Sequence, residues 1–232
     1  MIYLHLIVEG ETERNFGEKV LVQYLGFHYC IDVSLVETSR DRRRGRVFKG
    51  GLGNYDKVQK EIMNRIKQYA RYENHFFTTM FDFYALHDSF PGCLEAQNII
   101  DPYNKVKKLE ESLAENIPGR RFIPYIQLHE FEAMVFVDPG QLIHLHPDSE
   151  NGIAVLKNAL NEQRVNNNPE LINDGQTTAP SKRILTQISD YHKPSGFLTV
   201  EKIGLDAIRS KCPHFDEWLK KLEELKSNLP QQ

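Results

Sequence analysis

The segment that most constrains the fold is the first. Residues 2–8, IYLHLIV, form an apolar β-run that breaks at once into Glu9-Gly10-Glu11-Thr12-Glu13. A buried parallel strand that ends in a carboxylate, a glycine turn and a further carboxylate places acidic groups at the C-terminal edge of an α/β sheet, where open α/β folds put their ligands. Three acids in five positions repel one another, and a cation or a proton relieves that repulsion. The competing reading is a solvated helix start, where carboxylates favour the dipole. That reading suits Glu11 and Glu13 better than Glu9, which abuts a buried strand.

The remaining pattern alternates. A helix is expected over 12–25, a strand over 30–37, an irregular Arg- and Gly-rich segment over 39–54, and a helix over 55–71 with Val58, Ile62 and Ile66 on one face. The β-prone run 75–84 (HFFTTMFDFY) reads as a third strand, 103–115 as a helix, and 121–128 as a fourth strand in which Pro124 marks an edge or a bulge. A short helix over 130–136 follows. Strands alternating with helices define an α/β class with a mostly parallel four-stranded sheet. From 139 the pattern becomes helical with polar connections. This gives a core over 1–138 and a helical extension over 139–232, with helices at 149–164 and 181–229 and a loop at 166–178.

Bulk properties exclude several classes. The net charge of −3 provides no global basic field, so nucleic-acid contact has to be local. No apolar run approaches the roughly 20 residues of a membrane span, and the N-terminus lacks the marks of a signal peptide. Three widely spaced cysteines form no CxxC pair, which fits a cytoplasmic protein with reduced thiols. No GxSxG, P-loop or HExxH motif is present.

The acids recur at strand ends. Asp82 sits among aromatics near the end of the third strand, where a carboxylate needs a partner, water or a cation; Asp88 follows in the next loop. The fourth strand ends in His129-Glu130-Phe131-Glu132. In a parallel sheet these ends lie on one side, and clustered carboxylates with few histidines suit Mg²⁺ or Mn²⁺ rather than zinc. Basic residues lie in 40–49 (Arg40, Arg42, Arg43, Arg44, Arg46, Lys49) and at Lys182-Arg183 near a helix start. A solvated loop is the simpler account of the first group, and phosphate contact the more specific one.

Val8-Glu9-Gly10-Glu11-Thr12-Glu13, Phe81-Asp82-Phe83-Tyr84 with Phe90-Pro91-Gly92, His129-Glu130-Phe131-Glu132-Ala133 and Ser181-Lys182-Arg183 together resemble the DUF4276 family, TOPRIM-like proteins related to the nuclease domains of OLD-type proteins. The resemblance covers nearly the whole chain. It implies a TOPRIM-like sheet, metal ligands among Glu9, Glu13, Asp82, Glu130 and Glu132 with Asp88 as a further candidate, and catalytic roles for Glu9 and Lys182. Tyr84 stands where the motif has its second aspartate, which weakens one metal position. The function implied is Mg²⁺-dependent cleavage of nucleic acid beside a separately encoded ATPase, in a phage-defence setting. The alternative is a catalytically weak binding or regulatory subunit of an ATPase complex. For that subunit the apolar spacing of Phe215, Trp218, Leu219 and Leu222 offers a docking face, although such spacing is more often core. A third reading is a nucleotide phosphatase that needs no basic loop. The sequence leaves homo-oligomerisation open.

Overall fold

A computed structural model describes residues 1–41, 46–49, 52–119, 121–163, 165–173, 175 and 178–228, with backbone alone for 37–41, 46–49 and 228. The chain forms two compact units, Met1–Ile126 with Lys220–Gln232, and Gln127–Leu219. The boundary at 138 read from the sequence marks a change of pattern, whereas these units are divided by contacts, so the two are different partitions of the chain.

The first unit is α/β. Strand β1 (Ile2–Val8) leads into a helical stretch made of α1 (Glu11–Asn15), a π-helical segment (Phe16–Leu21) and α2 (Val22–Leu25). The π segment has a reason in the sequence. Phe16 and Leu21 are both fully buried and lie five residues apart, a step that i→i+5 winding aligns and ordinary α winding does not. The chain returns as β2 (Tyr29–Leu35), which pairs in parallel with β1 from Ile2↔Tyr29 to Val8↔Leu35.

Residues expected to be irregular contain an antiparallel hairpin instead. Strands β3 (Glu37–Asp41) and β4 (Arg46–Lys49) pair from Glu37↔Lys49 to Asp41↔Arg46, with a register shift between Glu37 and Ser39. The count of arginines hid this, because a charged hairpin lacks the apolar alternation by which a strand is read.

Helix α3 (Tyr55–Gln68) starts at Asn54, whose side chain accepts from the Asp56 N–H at 2.9 Å, and buries Tyr55, Val58 and Ile62 at i, i+3 and i+7. Strand β5 (His75–Asp82) follows, with all eight residues buried, as an apolar central strand covered on both faces requires. Each fully buried Phe contributes about 1.5–3 kcal/mol through area burial, and β5 supplies Phe77 and Phe81 to the core. A short helix α4 (Cys93–Ala96) precedes α5 (Pro102–Asn116), which is capped by Asp101 through the Asn104 N–H at 2.8 Å and buries Val106, Leu109 and Leu113.

The fourth strand is split by Pro124 into β6 (Phe122–Ile123) and β7 (Ile126–Gln127). Two threonine hydroxyls bridge the gap. Thr78 Oγ1 donates to the Ile123 carbonyl at 2.6 Å, and Thr79 Oγ1 both donates to the Tyr125 carbonyl at 3.0 Å and accepts from the Tyr125 N–H at 2.9 Å. Side chains thus replace backbone ladder bonds where proline interrupts the ladder. The sheet order is β2-β1-β5-β6, with β7 also on β5, and the β1–β2, β1–β5 and β5–β6 pairings are all parallel. After β1 the chain moves out towards β2; after β5 it moves the other way, to β6. The C-terminal ends of β1 and β5 therefore flank a topological switch point.

The second unit is largely helical. A fully buried 3₁₀ segment, Phe131–Val137, is followed by another at Pro139–His144, then α6 (Glu150–Ala159), a 3₁₀ turn at Pro169–Leu171, α7 (Pro180–Gln187), α8 (Lys193–Ile203), α9 (Leu205–Lys211) and α10 (Pro213–Glu224), the last of which runs on into residues of the first unit. The helical stretch expected over 181–229 is divided into α7, α8, α9 and α10 at such points as Gly204 (φ 80°) and Pro213. Phe215, Trp218, Leu219 and Leu222 are all buried, which makes them core and removes the docking face.

Phe90-Pro91-Gly92 serves packing. Phe90 joins the core around Phe77 and Phe81, and Gly92 has φ 83° with its Cα pressed towards α5, so that an added Cβ would meet Ser112 Oγ at 2.5 Å. Gly92→Ala is expected to lower unfolding free energy by about 1–3 kcal/mol, from the left-handed backbone together with that clash, as read by urea denaturation.

Candidate functional site

The rim at the ends of β1 and β5 collects acids. Register places Val8 beside Met80, so Glu9 and Asp82 leave the sheet together. The Asp82 backbone N–H donates to Glu9 Oε2 at 3.3 Å. Glu13 folds back over Gly10, with Oε2 2.7 Å from where a Cβ would sit, so a side chain at position 10 would displace that carboxylate. Glu9, Glu13 and Asp82 are 8%, 4% and 7% exposed. The solvated reading holds for exposed Glu11 and fails for Glu13. Like charges near one another favour the protonated form of a carboxyl group, and burial acts in the same direction.

The geometry sets limits on a metal. Among the described residues no group of three or more His, Cys, Asp and Glu side chains is arranged to hold an ion. Mg²⁺ does not require such a cage. It keeps several waters and is held by one or two carboxylates together with substrate phosphate. The pair formed by Glu9 and Asp82, hard oxygen donors at a switch point, fits that mode, and Glu13 lies on the adjoining turn.

The other sequence candidates lie on other elements of the chain. Asp88 is exposed in the loop after β5 and lines a cavity with Phe83 and Tyr84. Glu130 and Glu132 belong to the second unit. Glu130 Oε2 accepts from the Ser181 N–H at 3.0 Å and thereby caps α7, whose N-cap residue Ala179 offers no side-chain bond. Glu170 does the same for α10, accepting from the His214 and Phe215 N–H groups at 3.0 and 2.9 Å. Both helices open on a proline and borrow a distant glutamate as their cap. Glu132 is 3% exposed in the 3₁₀ segment. Lys182 is exposed on the first turn of α7. Arg183 is committed to Glu162, 2.7 Å from Oε1, and to the Thr178 carbonyl, which makes it a structural cation. Arg40, Arg46 and Lys49 lie on the β3–β4 hairpin, and Arg42, Arg43 and Arg44 lie outside the described residues.

Some polar groups had no local signal. His129 has φ 70°, a backbone state uncommon outside glycine, directly before Glu130. Tyr191 is buried, and burial with Glu132 and then Glu130 nearby pushes its phenol far above the usual range. Asp190, 44 residues from His146, bonds its Nδ1 at 3.1 Å. Away from the rim, His5 bridges Asp32 (3.2 Å) and His75 (2.9 Å) beneath the stacked ring of Tyr69. Burial, then the His5 and Arg121 charges, lower the His75 pKa.

The chain belongs to the DUF4276 family: the model of that family, a domain of unknown function, matches residues 8–223. No curated protein and no solved structure matches the chain. Among the described residues no helix is long and apolar enough to cross a membrane.

Glu130→Ala is expected to lower stability by about 1 kcal/mol, the usual worth of a cap, without changing the response to Mg²⁺. Parallel thermal melts with and without the ion check this, and a lost Mg²⁺ response would return Glu130 to the metal ligands.

Proposed function

We propose that this chain is a Mg²⁺- or Mn²⁺-dependent phosphodiesterase acting on nucleic acid, with its reaction centre at the ends of β1 and β5. One observation carries the reading: Glu9 and Asp82, buried and linked through the Asp82 N–H, stand at the switch point of a parallel sheet. Glu9 and Asp82 would hold the ion, with Glu13 beside them. The chemistry such an ion supplies is neutralisation of phosphoryl charge and a lowered pKa of water. The low-dielectric surroundings of Val8, Met80 and Phe81 strengthen every electrostatic interaction at the rim. The hairpin that carries Arg40, Arg46 and Lys49 supplies basic residues for backbone phosphates, which gives affinity with little sequence selectivity and a strong dependence on salt. Glu132 and Lys182 are in the second unit, and the proposal does not depend on them. An ATPase partner and a defence setting follow from the resemblance alone and stand as part of the proposal.

The adaptor reading keeps a specific support: Tyr84 in place of a second aspartate, together with the use of Glu130 as a cap, leaves fewer ligands than a two-metal centre needs. Incubating plasmid and single-stranded DNA with the protein and Mg²⁺ or Mn²⁺, beside Asp82→Ala, separates the two readings. The phosphodiesterase reading expects metal-dependent cutting that falls at least about a hundredfold in Asp82→Ala, the scale of losing an electrostatic catalytic group. Equal cutting by both proteins removes Asp82, and no cutting under any metal favours the adaptor.

A further inference from the structure

The cavity next to the acidic rim has a composition of its own. It measures about 290 Å³ and lies in the first unit, between the turn that follows β5 and helices α4 and α5. Phe83 and Tyr84 form one side, with ring centroids 5.9 Å apart, and Tyr84 is 43% exposed. Leu109 of α5 contributes an apolar wall, while Asp88, Gln97 and Lys105 place an acceptor, an amide and a donor on the same lining. Apolar and aromatic surfaces combined with a few polar groups of both senses suit a flat ring with a hydrogen-bonding edge.

The geometry points to a nucleobase-binding pocket that seats one unstacked base of the substrate beside the reaction centre. The substrate class comes from the phosphodiesterase reading, and the pocket itself from the cavity. Phe83 follows Asp82 directly, one Cα step of about 3.8 Å, so a phosphate held at the rim has its neighbouring base within reach of the aromatic wall. A base in a duplex presents no free face to such a wall. The pocket therefore selects single-stranded or extruded nucleotides. Stacking accepts any base, and the amide, carboxylate and ammonium groups add preference through the base edge. Tyr84 thus has a positive role at the position where the family motif offers an aspartate: it presents a ring to the substrate in place of a charge to a second ion.

The test uses the whole chain in EDTA, so that metal chemistry is silent. Binding of AMP, CMP and ribose 5-phosphate is measured by calorimetry or saturation-transfer NMR on wild type, Tyr84→Ala and Gln97→Ala; both substituted positions are solvent-exposed, and thermal melts verify folding. The pocket predicts that AMP binds at least tenfold more tightly than ribose 5-phosphate, and that Tyr84→Ala removes roughly tenfold or more of that affinity. Gln97→Ala is expected to narrow the difference between AMP and CMP. Equal affinity for AMP and ribose 5-phosphate, or AMP binding unchanged in Tyr84→Ala, overturns the pocket. Nucleotide binding without plasmid or single-strand cutting would leave the pocket standing and remove the phosphodiesterase, and cutting without base-dependent binding would do the reverse.

Discussion

Two carboxylates buried beside each other form the constraint on which the first unit turns. Glu9 directly follows β1 and Asp82 ends β5, and parallel pairing brings both out of the sheet at neighbouring levels, close enough for the Asp82 N–H to reach Glu9 Oε2. Chain direction produces this juxtaposition. The connection after β1 goes to one side of the sheet and the connection after β5 to the other, so a crevice opens between them. The adjoining features follow from it. Gly10 admits the Glu13 carboxylate over the turn, and the π segment keeps Phe16 and Leu21 on the core side of the helix that leaves this crevice. Carboxylates held in such a place cost desolvation that their hydrogen-bond and charge partners have to offset.

The β5 strand is the mechanical support for that site. It is buried along its full length, and its threonines carry the hydrogen bonds that Pro124 removes from the neighbouring strand. The rim and the adjacent cavity are built from consecutive residues, Asp82, Phe83 and Tyr84. In the proposed reading, the ion is held at the end of a buried central strand and the base is recognised on the turn that follows, which divides the work between precision and adaptability.

Much of the first unit was legible in the sequence because its central strands, β1 and β5, are almost wholly buried and read as apolar runs. The ends of those runs gave Glu9 and Asp82 directly, and the motifs pointed to the DUF4276 family, whose model matches the chain. What was not legible depends on partners distant in sequence. Glu130 reads as one more acid at a strand end, and only the position of Ser181 shows it capping α7. Arg183 reads as a phosphate ligand until Glu162 is seen beside it. The β3–β4 hairpin is charged, so its pairing has no apolar signature. The wall formed by Phe83 and Tyr84 needs α5 folded against it before it encloses anything.

The central claim is that Glu9 and Asp82 hold a divalent ion. Crystals of the full chain soaked in Mn²⁺ and measured at its absorption edge test it most directly. The account predicts an anomalous peak within about 2.0–2.3 Å of a Glu9 and an Asp82 carboxylate oxygen, with the remaining positions filled by water, as hard octahedral coordination requires. Anomalous density confined to other residues, with none at the ends of β1 and β5, would contradict it.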